Sequence, residues 1–279
     1  MSTTRVARRT RSLLLCRCLE HNARRSMNCS ATLRGFSSAS PSNSDNSDAP
    51  AFESGLSGLR SVFSRVSDRA GEFQRYQKAQ VFPPDDSWLT NLIAFIALNI
   101  PQHTQIDAVE FIKGAKHACK VQLTALNSLE FGKFIGGELP QCENADLLRN
   151  YSTPAFYQSA SSNVKLTYAM RSLIFESQGI AIESIHLKNV EYARLTEQEY
   201  KDERMKLALH VTTVENVKMN YFKRKVDTCK FVQQQNAYTW IFESRVSRPE
   251  DVDWRIAAVY RVSGRVLDLP PEDQIKTSK

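Results

Sequence analysis

The chain has 279 residues, 42% of them hydrophobic, which allows one large domain or two small ones, each with a core. The formal charge of +7 is confined to residues 1–40, where eight arginines face the single acid Glu20; the other 29 basic and 29 acidic residues cancel. A broad phosphate-binding surface on the rest of the protein thereby loses its main support.

Residues 1–36 are rich in arginine and serine and poor in acids, with Val6, Leu13, Leu14, Leu15 and Leu19 between the charges. That composition reads as a mitochondrial transit peptide, or else as a disordered basic tail. The apolar run at 13–16 is too short for a secretory signal, and Arg34-Gly35-Phe36-Ser37 resembles a matrix-processing site. Residues 37–50 are a low-complexity Ser/Asn/Asp linker with too little apolar surface for a core. Cys119, Cys142 and Cys229 lie beyond the leader, far apart, with no C-x-x-C and no histidine at metal spacing. They read as reduced, packed thiols, and neither metal nor cofactor is expected.

Residues 51–103 form an N-terminal helical segment. Phe52, Leu56, Leu59, Phe63, Val66, Ala70 and Phe73 recur at three- and four-residue steps, as in one amphipathic helix to about residue 80. Its polar side carries Arg60, Arg65, Arg69, Arg75 and Lys78 against Glu53, Asp68 and Glu72. That balance suits an anionic membrane surface or an acidic partner, or a helix docked on its own domain. Pro83-Pro84-Asp85-Asp86-Ser87 stops this helix and caps the next. Residues 88–100, with Trp88, Leu92 and Phe95, are apolar nearly all round but shorter than the roughly 20 residues a membrane span needs. The segment is buried or lies in a membrane interface.

A third helix is expected over 104–129, with Ile106, Val109, Ile112, Ala115, Cys119 and Leu126 at helical spacing and Lys113, Lys116 and Lys120 on another side. Gly132, Gly136 and Gly137 are expected to loosen 131–139. Helices follow over 145–151 and 154–178, the latter opened by Pro154 after Thr153 and ended by Gly179.

Beyond Gly179 the period changes to two. Ile180 and Ile182 share one parity and Ile185 and Leu187 the other, which places a bulge near Ser184. Residues 196–203 read as a charged connection. Leu207, Leu209, Val211 and Thr213 alternate in a strand that continues to Tyr221, with Lys223, Arg224 and Lys225 at its tip and a return over 226–232. Gln233-Gln234-Gln235-Asn236 reads as a loop. The final hairpin pairs Tyr238, Trp240, Phe242, Ser244 and Val246 with Trp254, Ile256, Ala258, Tyr260 and Val262 around Arg248-Pro249-Glu250-Asp251. Its aromatic face needs a helical cover. Glu243 is expected diagonal to Arg255 as a cross-strand charge pair. Residues 268–279 are a polar tail. Helices first and antiparallel strands after give an α+β fold, with N-terminal helices packed on one face of a curved antiparallel sheet.

No Gly-rich phosphate loop, H-E-x-x-H or G-x-S-x-G occurs. His186 and His210 fall on neighbouring strands with no nucleophile in a motif beside them, so no enzyme is expected. The Lys223-Arg224-Lys225 tip is a solvated turn or a contact for RNA or a partner.

Trp240-x-Phe242-Glu243-x-Arg245, a short turn, and Asp253-Trp254-x-Ile256 resemble the close of the Tim forty-four-like domain. Phe111-Ile112-x-Gly114-Ala115-Lys116 resembles its helix, so that 104–267 corresponds to the domain. The resemblance implies a nuclear-transport-factor-two-like cone around an apolar pocket. It also implies a non-enzymatic protein peripheral to the inner membrane on its matrix side. Two branches are open. One is mitochondrial large-subunit ribosomal protein forty-five with the related membrane-anchored ribosome receptors, whose partners would be the large ribosomal subunit and a cardiolipin-rich membrane. The other is the import-motor scaffold, which joins the presequence translocase to the matrix heat-shock chaperone through a long charged extension; residues 41–103 lack such a stretch. A lipid-binding or respiratory-complex assembly role is the third expectation.

Overall fold

The computed structural model describes residues 56–197, 200–222 and 228–267. Over these the chain runs through helices α1 (Leu56–Asp68), α2 (Ala70–Lys78), α3 (Trp88–Leu98), α4 (Ala108–Leu126), α5 (Leu129–Ile135), α6 (Glu143–Tyr151) and α7 (Pro154–Arg171). Strands β1 (Leu173–Glu197), β2 (Tyr200–Tyr221), β3 (Thr228–Arg245) and β4 (Arg255–Leu267) follow, with a 3-10 turn at Pro249–Asp251 before β4. The strands form one antiparallel sheet in the order β1-β2-β3-β4. This is the expected α+β layering, helices first and then one antiparallel sheet.

Period-two patterning produces the sheet. Met205, Leu207, Leu209 and Val211 of β2 are fully buried on one face, while Lys206 and Asn216 of the other parity are exposed. The covered face also presents Trp240, Phe242 and Ile256 to a helical layer that contributes Tyr76, Phe95, Leu98, Phe111, Cys119 and Leu123. Each large side chain buried here contributes about 1.5–3 kcal/mol. A smaller cluster of Ala125, Phe131, Cys142, Ala145 and Leu148 joins α4, α5 and α6. Register shifts between Ser177/Gly179, Ile182/Ser184 and Leu187/Asn189 mark bulges in β1. They add twist and curvature, and the second is the one anticipated near Ser184.

Caps fix the helix starts. Ser87 accepts from Thr90 N–H, Asp107 from Val109 and Glu110, Ser128 from Phe131, and Thr153 from Phe156. Long-range bonds then tie helices to sheet. Thr104 Oγ1 donates to Val246 O (2.8 Å), Leu187 N–H to Val81 O (2.7 Å) and Thr153 N–H to Ile256 O (2.9 Å).

Several sequence expectations need correction. The first helix is two, broken at Arg69, because Arg69 leaves helical geometry at φ −103°, ψ 17°. Residues 129–135 are helical despite Gly132, which lies against Ile174 where a larger residue would not fit. The helix from Pro154 ends at Arg171, with Ser172 in the left-handed conformation (φ 48°), and Gly179 lies inside β1. Gln233–Asn236 are not a loop: they belong to β3, where Gln233 Nε2 donates to Asn216 Oδ1 (2.9 Å) and Gln235 Nε2 to Glu183 Oε2 (2.5 Å). Side-chain amides in register support a polar strand. The connection expected over 196–203 is almost all strand, since β1 runs to Glu197 and β2 starts at Tyr200.

Candidate functional site

The aromatic hairpin is interior. Trp240 and Ile256 have no exposed surface and Phe242 is 2% exposed. Phe111 of α4 sits edge-on to Phe242 (5.5 Å between centroids) and 4.9 Å from half-buried Trp254. A register shift between Ile241 and Phe242 changes the face of the later β4 residues. Val259 therefore pairs with Trp240 and packs on the core, while Tyr260 and Val262, expected on the aromatic face, are exposed.

Glu243 also departs from expectation. It lies directly opposite Arg255 in register, but its carboxylate pairs with Arg204 (3.4 Å) and Lys206 (3.5 Å) of β2. Arg255 pairs with Asp253 (2.7 Å) and Arg245 with Asp202 (3.6 Å). These residues form a part-exposed charge ladder on the uncovered face and carry no catalytic geometry.

The N-terminal helices divide in two. Arg65 donates to Asn99 O (3.2 Å) and Ile100 O (3.1 Å), and Arg69 to Asn99 Oδ1 (2.6 Å). Both guanidiniums thus serve the C-terminal end of α3, whose free carbonyls and negative dipole end favour cations. Arg69, expected on a membrane- or partner-facing side, is turned inward by these bonds. Phe95 is likewise core, 1% exposed and 5.2 Å from Phe73, and Leu92 is half-buried. The outward side is apolar: Phe63 is 60% exposed, Trp88 61%, Leu89 58% and Ile93 59%. Leu89 and Ile93 lie one turn apart on α3, and Arg60 and Phe63 one turn apart on α1, where both are exposed. No described helix is long and apolar enough to cross a membrane. Phe52 and the Lys223-Arg224-Lys225 tip lie outside the described residues, as do 1–50 and 268–279; Leu56 and Leu59 fall in the first turn of α1.

Sequence reasoning missed a buried polar cluster on the covered face. Glu215, 1% exposed, accepts from Thr213 Oγ1 (2.6 Å), Tyr238 OH (2.8 Å) and Gln234 Nε2 (3.4 Å). Burial first, and then the Glu215 carboxylate, push the Tyr238 phenol well above its usual range. Thr213 and Glu215 continue the parity of Leu209 and Val211, which is the signal that placed them inward. With three donors on one carboxylate the cluster fastens β2 to β3. The Cys119 and Cys142 thiols are buried and pushed up by that burial, the opposite of an activated nucleophile. Among the described residues no group of His, Cys, Asp and Glu has metal-binding geometry.

His186 and His210 face each other across β1 and β2 on the uncovered face, and His186 Nδ1 lies 2.9 Å from Gln80 O. Burial lowers the His210 pKa, and Lys188 and His186 add to the shift. The unfolded chain therefore takes up this proton more readily than the fold. The resulting stability is complete above the ordinary histidine value of about 6.5 and is lost as pH falls through it toward the lowered value. The melting temperature is expected to drop on acidification across this window, and less in His210→Gln; an equal drop in both would contradict this assignment.

Comparison with known proteins adds little. No family model matches the chain, and no curated protein matches it. A solved structure that is similar is that of CagV, a VirB8 homolog of T4SS from Helicobacter pylori Strain 26695, at 10% identity over 56% of this chain and 98% of that chain, with a TM-score of 0.23. A likeness at that score carries no argument, so the fold class stands on the layers and strand order described above.

Proposed function

We propose that the protein is a non-enzymatic mitochondrial matrix protein, peripheral to the inner membrane, that holds the large mitoribosomal subunit at the membrane. One observation carries this reading. Helix α3 is apolar nearly all round, with Thr90 and Asn91 its polar residues, yet only Ala94, Phe95 and Leu98 are buried, while Trp88, Leu89 and Ile93 face outward. A helix that is hydrophobic all round belongs in a fully apolar setting, and here one side has none. Phe63 beside Arg60 on α1 extends the same character, apolar with a cationic margin, which suits an anionic, cardiolipin-rich surface. The arginine bonds to Asn99 and Ile100 join α1 to α3, and Leu187 N–H to Val81 O and Tyr76 OH to Ile106 O (3.2 Å) tie this segment to the sheet domain, so a membrane contact there would orient that domain. The leader composition and the resemblance to the Tim forty-four-like domain support the compartment and the ribosome branch.

In this reading the sheet domain, with the 223–225 tip, meets ribosomal RNA or protein. Sedimentation of mitochondrial lysate tests it. The protein is expected to move with large subunits at low salt and to leave them as salt rises, because phosphate contacts weaken steeply with ionic strength. Co-purification with the presequence translocase and matrix chaperone, without ribosomal comigration, would replace it by the import-motor role. Recovery with bound lipid alone would favour the lipid-binding or assembly role.

A further inference from the structure

Strand β1 borders the sheet, and its outer rim is engaged at two points: Ser177 N–H donates to Asn127 O (2.5 Å) and Leu187 N–H to Val81 O (2.7 Å). Between them, over 178–186, no main-chain hydrogen bond reaches that rim from any described residue outside the sheet. Part of the interval, Ile180–Ile182, borders an open depression. An open groove of about 510 Å³ runs between α4 and β1, lined by Ile180, Ala181 and Ile182 from the strand and by Lys113, Lys116, His117 and Lys120 from the helix.

The spacing of those four helix residues sets them on one side of α4, and all four are exposed. Among the described residues only Lys113 has an ion-pair partner, Glu110 of its own helix at 3.8 Å. Lys116 and Lys120 carry unmatched charge over a partly apolar channel, in a protein whose net charge outside residues 1–40 is zero.

We propose that this groove takes an acidic, extended segment of a partner protein, added to the outer rim of β1 as a further strand. Three properties select that occupant. The rim offers main-chain donors and acceptors, which an extended peptide matches along its length. On the strand side half-buried Ile182 and exposed Ala181 offer apolar contact beside buried Ile180, and the lysines supply the complement for carboxylates. No aromatic ring lines the groove for a base to stack on, which argues against single-stranded RNA. The bulge between Ile182 and Ser184 divides the interval into two regular stretches, Gly179–Ile182 and Ser184–Leu187, so the added strand is a short one, registered on Gly179–Ile182 where the groove lies. The inference goes beyond the membrane and ribosome reading and does not depend on it.

The probe is a short, end-blocked peptide of alternating glutamate and valine, titrated into the full chain while amide hydrogen exchange is followed. Saturable binding is expected, with exchange slowed across 178–186. Lys116→Glu with Lys120→Glu is expected to weaken binding about tenfold without changing the melting temperature; Lys116→Gln with Lys120→Gln serves if the charge reversal disturbs folding. The slowed exchange requires no variant. Absence of peptide binding overturns the proposal, as does binding that leaves exchange over 178–186 unchanged. A uridine oligonucleotide that binds through the same lysines when the peptide does not would also overturn it, by assigning the groove to RNA.

Discussion

Trp240→Ala is expected to lower stability by about 3–5 kcal/mol, the usual cost of emptying a buried tryptophan site. In a domain of this size that corresponds to a fall in melting temperature of roughly 10 °C. Trp240 has no exposed surface, stacks on Phe242 at 6.4 Å, stands edge-on to Tyr238 at 6.4 Å and lies opposite Leu209 and Val259 in register. Neighbours held by β-ladders on both sides cannot collapse into the space. Trp240→Phe keeps an aromatic ring in the site and should cost much less. Tyr260→Ala is the comparison in the same hairpin: its ring is on the open side, and the change should stay within about 0.5 kcal/mol. Urea titration of the three variants measures all of this; similar losses for Trp240→Ala and Tyr260→Ala would show that the helical layer does not cover the face assigned to it.

The second large effect concerns membrane attachment. Trp88→Ser with Ile93→Ser is expected to reduce partition onto cardiolipin-containing vesicles roughly a hundredfold, since each large apolar side chain transferred from water contributes about 1.5–3 kcal/mol. Both residues are about 60% exposed, and Trp88 has one edge-on ring contact, to Phe73 at 6.2 Å, so the melting temperature should fall little, and a small fall beside a large loss of partition shows that the loss is one of binding. Arg69→Ala provides the contrast. Its guanidinium is bonded to Asn99 and reaches toward Tyr76 OH and Ile106 O, so its loss should destabilise the domain more than it weakens the vesicle contact. Undiminished flotation of the Trp88/Ile93 variant would move the contact elsewhere and remove the main support for the proposed role.

How much of this was legible depended on whether a residue's fate was decided locally. The inward row Leu207, Leu209, Val211 follows from alternation alone, because one face of β2 is covered and the other is not. Ser87 and Thr153 announced their helices through their own side chains. The end of α7 was illegible because Ser172 adopts the left-handed conformation without being glycine, and Gly179, the stronger local signal, went into a strand. Tyr260 was misplaced by a bulge that periodicity does not reveal. In the candidate site, exposed Trp88 and Phe63 could be read as apolar positions, but which apolar residues face outward is settled by packing. Phe95 and Leu98 looked identical to them in sequence and are core. Arg65 and Arg69 showed charge only; their partners at Asn99 and Ile100 are 30 to 35 residues away.

The bond from Thr104 Oγ1 to Val246 O spans 142 positions, and the one from Leu187 N–H to Val81 O joins the second helix's exit to a strand that follows much later. A ribosome delivers the N-terminal part first, so its helices emerge before the surface that completes them exists. Such distant closures slow the search for the finished state and leave sticky intermediates on show. The newborn polypeptide must therefore wait until Val246 has emerged before the early segment can settle, and during that delay a chaperone would find Phe73, Tyr76 and Phe95 within reach.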